Sequence, residues 1–141
     1  LVKSYGNGIG VDVYNYFGNV DVVVKSSANM PFENESFDTI TIVASLNHIK
    51  NYGETLKESL RILKPNGKIL ITMPIVLPMK LWHKIAHDYD EDQIYRGINE
   101  EEERYSMPIK EIIDSLVKNG FKQPERKKFL FGLNNLIIAK K

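Results

Sequence analysis

Three short polar stretches in this chain sit where chemistry could be done. Asp12 follows a β-rich run, and a carboxylate carries two oxygens that can match a vicinal diol. Ser26, Ser27, Ala28, Asn29 and Met30 follow a valine run. Small residues there would let a flat ring approach the backbone, with Met30 covering one face. Ala44, Ser45, Leu46, Asn47 and His48 follow a third run, small residues first and then a polar pair. His83 and His87 stand four apart with Asp88, Asp90 and Asp92 beyond. The glutamate that would complete a zinc-protease helix is absent, so no metal site is expected. Gly6, Gly8 and Gly10 spell a GxGxG pattern. A cofactor loop of that kind follows a buried strand and opens a helix, whereas here β-rich sequence follows, so the glycines read as the approach to a strand.

The elements that must position these residues are legible from periodicity. Residues 10–14 (GVDVY), 20–24 (VDVVV), 37–44 (FDTITIVA) and 68–73 (KILITM) read as strands. The valine run is typical of a buried parallel strand. Leu56, Leu60 and Leu63 recur at helical spacing after Asn51 and Glu54, a cap pairing, and Pro65 ends that helix. Ile109, Ile112, Ile113, Leu116 and Val117 form a second apolar stripe, with Pro108 before it and Gly120 after. Residues 127–131 and 136–139, joined through Gly132, Leu133, Asn134 and Asn135, read as a closing antiparallel hairpin. Strands alternating with helices imply an α/β fold with a mostly parallel sheet. Ligands of open α/β sheets bind at the carboxyl ends of the strands, which is where the three polar stretches fall.

Composition removes several functions. The chain has 141 residues, 43% hydrophobic and 26% charged, about one domain. A net charge of +1 lacks the cationic excess of nonspecific nucleic-acid binders. With no cysteine there is no disulfide, thiol nucleophile or thiolate metal site. No apolar run is long enough to predict a transmembrane helix. Residues 88–103 carry eight acids and one base, a solvated acidic excursion preceding a basic C-terminal region.

The residues also resemble a family. MPFENESFD (30–38), LNHI (46–49) and ESLRILKPNGKILI (58–71) are similar, in order and spacing, to class I S-adenosylmethionine-dependent methyltransferases of the type-11, UbiE-like group. The resemblance is close over residues 8–74 and looser to the end. It implies a Rossmann-like, mostly parallel sheet with a C-terminal antiparallel hairpin, in a single domain of residues 1–141. The N-terminal βα unit is expected to be missing, and residues 74–107 to form an insertion over the acceptor site, where Trp82, Tyr89 and Tyr95 could line a pocket. The implied cofactor is S-adenosylmethionine. Asp12 and Val13 match the ribose-holding position, and Ser26 stands where the family usually has an acid facing the adenine amino group. Ser27, Ala28, Asn29 and Met30 match the adenine-lining stretch, Ala44 and Ser45 the strand end beside the methionine part, and His48 a histidine near the transfer site.

The expected activity is methyl transfer to an unidentified acceptor, most readily a small molecule, in a cytoplasmic enzyme. No membrane partner and no nucleic acid are expected, and a homodimer is possible. The alternative is a non-catalytic or truncated methyltransferase-like domain acting as a binding or assembly module.

Overall fold

The computed structural model describes residues 7–15, 20–75 and 107–141. Strands β1 (Val11–Asp12) and β2 (Val22–Val23) form a parallel pair. They are shorter than their valine content predicts. After Asp12 the chain bends, because the Asp12 carboxylate accepts the Val13 and Tyr14 amides and so closes a turn. Gly10 belongs to this pairing, since its carbonyl accepts the Asp21 and Val22 amides. The glycine pattern therefore leads into a strand and opens no helix.

The larger sheet has four strands: β3 (Phe37–Val43), β4 (Leu63–Pro74), β5 (Glu125–Phe129) and β6 (Asn134–Lys140). Its order is β3-β4-β6-β5, with β3 parallel to β4 and the β5–β6 hairpin antiparallel. This is the expected α/β arrangement with a closing hairpin. β4 starts earlier than the sequence predicts, directly after helix α1 (Tyr52–Ile62). Phe37 pairs with Leu63 but Thr39 pairs with Lys68, so the Pro65-Asn66-Gly67 turn is carried as a bulge inside the strand. Asn66 adopts a φ of 63°, the left-handed geometry that asparagine tolerates. Gly67 is needed here, because a Cβ would lie 2.8 Å from the Lys64 carbonyl oxygen.

Side-chain alternation puts one face of the sheet in the core. Ile42, Ile69, Ile71, Met73, Ile137 and Ala139 are buried there with Leu56 of α1 and with Ile112 and Leu116 of helix α2 (Ile109–Lys118). The stripe on α2 is narrower than expected, and Val117 lies 45% exposed. Pro108 and Gly120 bracket α2 as predicted, and Gly120 takes a φ of 100°. The Asn51–Glu54 cap pairing does not form. Asn51 makes no side-chain cap bond, and instead its carbonyl accepts from the Thr55 amide and hydroxyl. Among the described residues, no helix is long and apolar enough to cross a membrane.

Candidate active site

The two sheets are not hydrogen-bonded to each other among the described residues, and a cavity of about 490 Å³ lies between them. Gly8, Ile9 and Val11 line one side and the whole run from Phe37 to Ile42 lines the other. The cavity follows β3 along its length, so it is a lateral slot, and one end of it, which serves as its mouth below, lies beside Ser27, Met30 and Ser45 after the strands. Ser27 and Met30 after β2, Ser45 after β3, and Thr55 of α1 also line it.

Of the residues singled out from sequence, Ser27, Met30 and Ser45 meet at this slot. Asp12, Val13, Ser26, Ala28, Asn29, Ala44 and His48 are not part of its lining. Asp12 remains at a strand tip, where its Oδ1 is committed to the Val13 amide at 2.6 Å and the Tyr14 amide at 3.2 Å. Only Oδ2 is left to meet a hydroxyl, so Asp12 offers one contact to a diol rather than two. The Ser26 hydroxyl accepts the Ala28 amide at 3.2 Å and the Ser26 carbonyl accepts the Asn29 amide, so Ser26 shapes a turn. The Ser27 hydroxyl is paired with Thr55 Oγ1 at 2.8 Å.

β3 ends in a sharp exit. Ala44 has a φ of 48°, a conformation that costs a non-glycine residue about 1 kcal/mol or more. Its amide is held by the Thr72 carbonyl at 3.1 Å and hydroxyl at 3.0 Å on β4. The chain then turns through a single 3-10 turn, Leu46–His48, pinned by Leu46, which is fully buried. His48 is exposed, and its Nε2 lies 3.0 Å from Asn47 Nδ2. An amide nitrogen can only donate, so with this amide orientation Nε2 accepts and the neutral ring carries its proton on Nδ1. The lone pair that a base needs is then engaged by Asn47.

The strongest polar constellation is visible in the sequence only as motif letters. Residues 27–36 run along one face of α1 and are joined to it at every turn. Thr55 holds Ser27. Glu58 accepts the Met30 amide at 2.8 Å. Arg61 donates to Glu58 at 2.7 and 2.8 Å, to Asn34 Oδ1 at 2.7 Å and to the Met30 carbonyl at 3.3 Å. The Glu35 and Ser36 amides close the helix by donating to the Arg61 and Ile62 carbonyls. Glu58 is buried, and the Arg61 hydrogen bond holds its carboxyl below the usual range, helped by the Met30 amide and opposed by burial. One signal could have found this face: Thr55, Glu58 and Arg61 recur every three residues, a polar stripe on one side of a helix.

Residues 6–71 match the family Methyltransf_11, described as a methyltransferase domain. The demethylmenaquinone methyltransferase of Staphylococcus haemolyticus is 34% identical over 85 residues, which is 55% of this chain and 36% of that protein. The ubiquinone/menaquinone biosynthesis C-methyltransferase UbiE of Geotalea daltonii is 34% identical over 73 residues, 49% of this chain and 31% of that protein. The chain thus spans about a third of the length of these relatives. In fold it is similar to a methyltransferase structure from Archaeoglobus fulgidus, at a TM-score of 0.69 and 15% identity over 94% of this chain and 75% of that one. Over residues 6–71 the chain is thus similar to S-adenosylmethionine-dependent methyltransferases of the type-11 group, and its fold is the Rossmann-like fold of methyltransferase structures.

The cofactor of this class is S-adenosylmethionine, and the residues at the slot mouth fit its adenosine half. Met30 supplies an apolar surface and Ser27 and Ser45 are small; Asp12 lies outside this lining, at the tip of β1, with Oδ2 the oxygen that its own turn leaves uncommitted.

Proposed function

We propose that the protein transfers a methyl group from S-adenosylmethionine to an acceptor. The observation that carries this reading is the gathering of Ser27, Met30 and Ser45 at the slot mouth, on loops following consecutive strands. When bound, the cofactor supplies an electrophilic methyl carbon on a sulfonium, so the reaction needs orientation more than activation. Asp12 Oδ2 would accept from a ribose hydroxyl, and Met30 would cover the base. Ala44 and Ser45 would border the methionine part. His48, whose Nε2 lies 3.0 Å from the Asn47 amide, would take an acceptor proton at a ring nitrogen.

A small-molecule acceptor suits this reading, and the acceptor-facing segment proposed from sequence, with its aromatic residues and histidines, lies outside the described residues. The relatives named for ubiquinone and menaquinone biosynthesis indicate one acceptor class to try. With no cysteine to oxidise, nothing in the chain calls for an oxidising compartment, which suits a cytoplasmic enzyme. The test is calorimetric titration with S-adenosylhomocysteine. Binding weakened at least tenfold by Asp12→Ala supports the assignment, and unchanged binding removes Asp12 from the site.

A second reading, as a binding or assembly module, is favoured by the edge of β3 that has no strand partner among the described residues. Ala44 directs its amide to β4, and backbone direction alternates along a strand, so Thr39, Thr41 and Val43 turn theirs toward the slot. A strand from another copy could pair there. Light scattering separates the readings, because strand sharing requires a dimer.

A further inference from the structure

We infer that Glu58 and Arg61 are positioning residues for the cofactor loop, holding Met30 so that its side chain faces the slot. This rests on the methyltransferase reading and adds residues to it. Both backbone polar groups of Met30 reach α1: its amide donates to Glu58 Oε1 at 2.8 Å, and its carbonyl, which accepts the Phe32 amide at 2.8 Å, also accepts from Arg61 at 3.3 Å. With the peptide groups on both sides of Met30 held against the helix, the side chain lines the slot. The same guanidinium reaches Asn34 Oδ1 at 2.7 Å, four residues further along the loop. One buried carboxylate and one arginine thus fix both ends of residues 30–34.

The geometry explains why neither residue is replaceable by a simple ion pair. Arg61 uses its planar fork against both oxygens of Glu58 and still has N–H groups for Met30 and Asn34. A lysine would keep the charge but could not span these partners. A glutamine at 58 would still accept the Met30 amide but would not match the guanidinium fork. Loop position and helix are therefore coupled through hydrogen-bond geometry as well as charge. Neither side chain is required to touch the cofactor.

The test is to titrate S-adenosylhomocysteine into the wild-type chain and into Glu58→Ala, Glu58→Gln, Arg61→Ala and Arg61→Lys, and to follow amide exchange at Met30. Loss of a charged hydrogen bond that orders the loop should weaken binding roughly tenfold or more in the alanine variants. Glu58→Gln should recover part of that loss and Arg61→Lys little of it, and Met30 exchange should accelerate in the same order. Asn34→Ala, at an exposed position, removes a single Arg61 contact and keeps the experiment readable should Glu58→Ala fail to fold. It should weaken binding about twofold to threefold with the melting temperature nearly unchanged. Ile109→Ala on α2 is the control for stability alone: it should lower the melting temperature and leave the dissociation constant in place.

If the wild-type chain gives no binding heat, the methyltransferase reading and this inference fall together. If the wild type binds and the folded variants bind equally well, only the inference falls.

Discussion

The four-stranded sheet has two outer strands of opposite character. β5 has the sequence ERKKF and every residue of it is exposed. Four of its five positions are charged, which guards an edge against adding another strand. β3 has the sequence FDTITIV, and its one charge, Asp38, is held by Lys64 at 2.9 Å at the strand's start. Its other edge offers Thr39 and Thr41 to the cavity. β5 is composed as a boundary and β3 as an interior strand. Among the described residues β3 has one partner strand, yet its composition is that of a strand paired on both sides.

The largest effect should come from the strand that is interior by both measures. Ile71 on β4 is fully buried between Ile42 and Ile137. Ile71→Ala should cost about 3–4 kcal/mol in urea unfolding, the usual penalty for emptying such a site. Lys127→Ala on β5 should stay within about 0.5 kcal/mol. Comparable losses would mean that β5 is more deeply packed than its exposure shows.

A proline pair tests the β3 edge itself. Ile40→Pro removes an amide directed toward β4 and a half-buried side chain, and should cost about 3 kcal/mol or more. Thr41→Pro removes an amide directed at the slot and should cost about 1 kcal/mol, mostly from the fixed φ. Hydrogen exchange gives the same contrast without mutation, with Thr39, Thr41 and Val43 exchanging faster than Ile40 and Ile42. Equal penalties or equal protection would show that something pairs this edge and would end the contrast with β5.

Much of this is legible in the sequence. The β4 apolar run, the α2 stripe and the hairpin follow from periodicity, because buried faces leave a repeat in the chain. The bulge at Lys64–Gly67 has the letters of a plain turn, since only the partner strand reveals that pairing continues across it. The Asn51–Glu54 cap matches a pattern whose bond the backbone at Asn51 does not make. At the site, Ser27, Met30 and Ser45 are legible because they follow strands. The engagement of Asp12 Oδ1 by its own turn is not. The spacing of Thr55, Glu58 and Arg61 marks a polar helix face, but not what lies against it. That depends on which way a loop folds back on a helix, and composition carries no trace of the direction.

A smaller, pH-dependent effect belongs to the loop beside the slot. Glu58 is held below its ordinary range chiefly by the Arg61 hydrogen bond. A depressed folded-state value means that the stabilisation is present above the ordinary glutamate range and is lost as pH falls through the lowered value. Acid unfolding monitored over roughly pH 2–6 should therefore be shallower in Glu58→Gln than in the wild type. No such change is expected from Lys127→Gln on the guarded edge, whose side chain has no ion partner among the described residues. Matching acid profiles for Glu58→Gln and wild type would place the acid sensitivity elsewhere.

The smallest difference lies in how the two outer strands end. β5 leaves through Leu130, Phe131 and Gly132, all at positive φ, and β3 leaves through Ala44 at 48°. A Cβ added at Gly132 would meet nothing within 4 Å, so Gly132→Ala should cost only the strain of φ 84°, about 1 kcal/mol. Ala44→Gly relieves strain in the folded chain but adds freedom to the unfolded one, and these terms nearly cancel, leaving a gain of about 0.5 kcal/mol or less. Urea midpoints for the two variants should therefore move in opposite directions. If Ala44→Gly is clearly destabilising, the Thr72 contacts to the Ala44 amide depend on the stiffness of alanine, and the exit of β3 is held more firmly than that of β5.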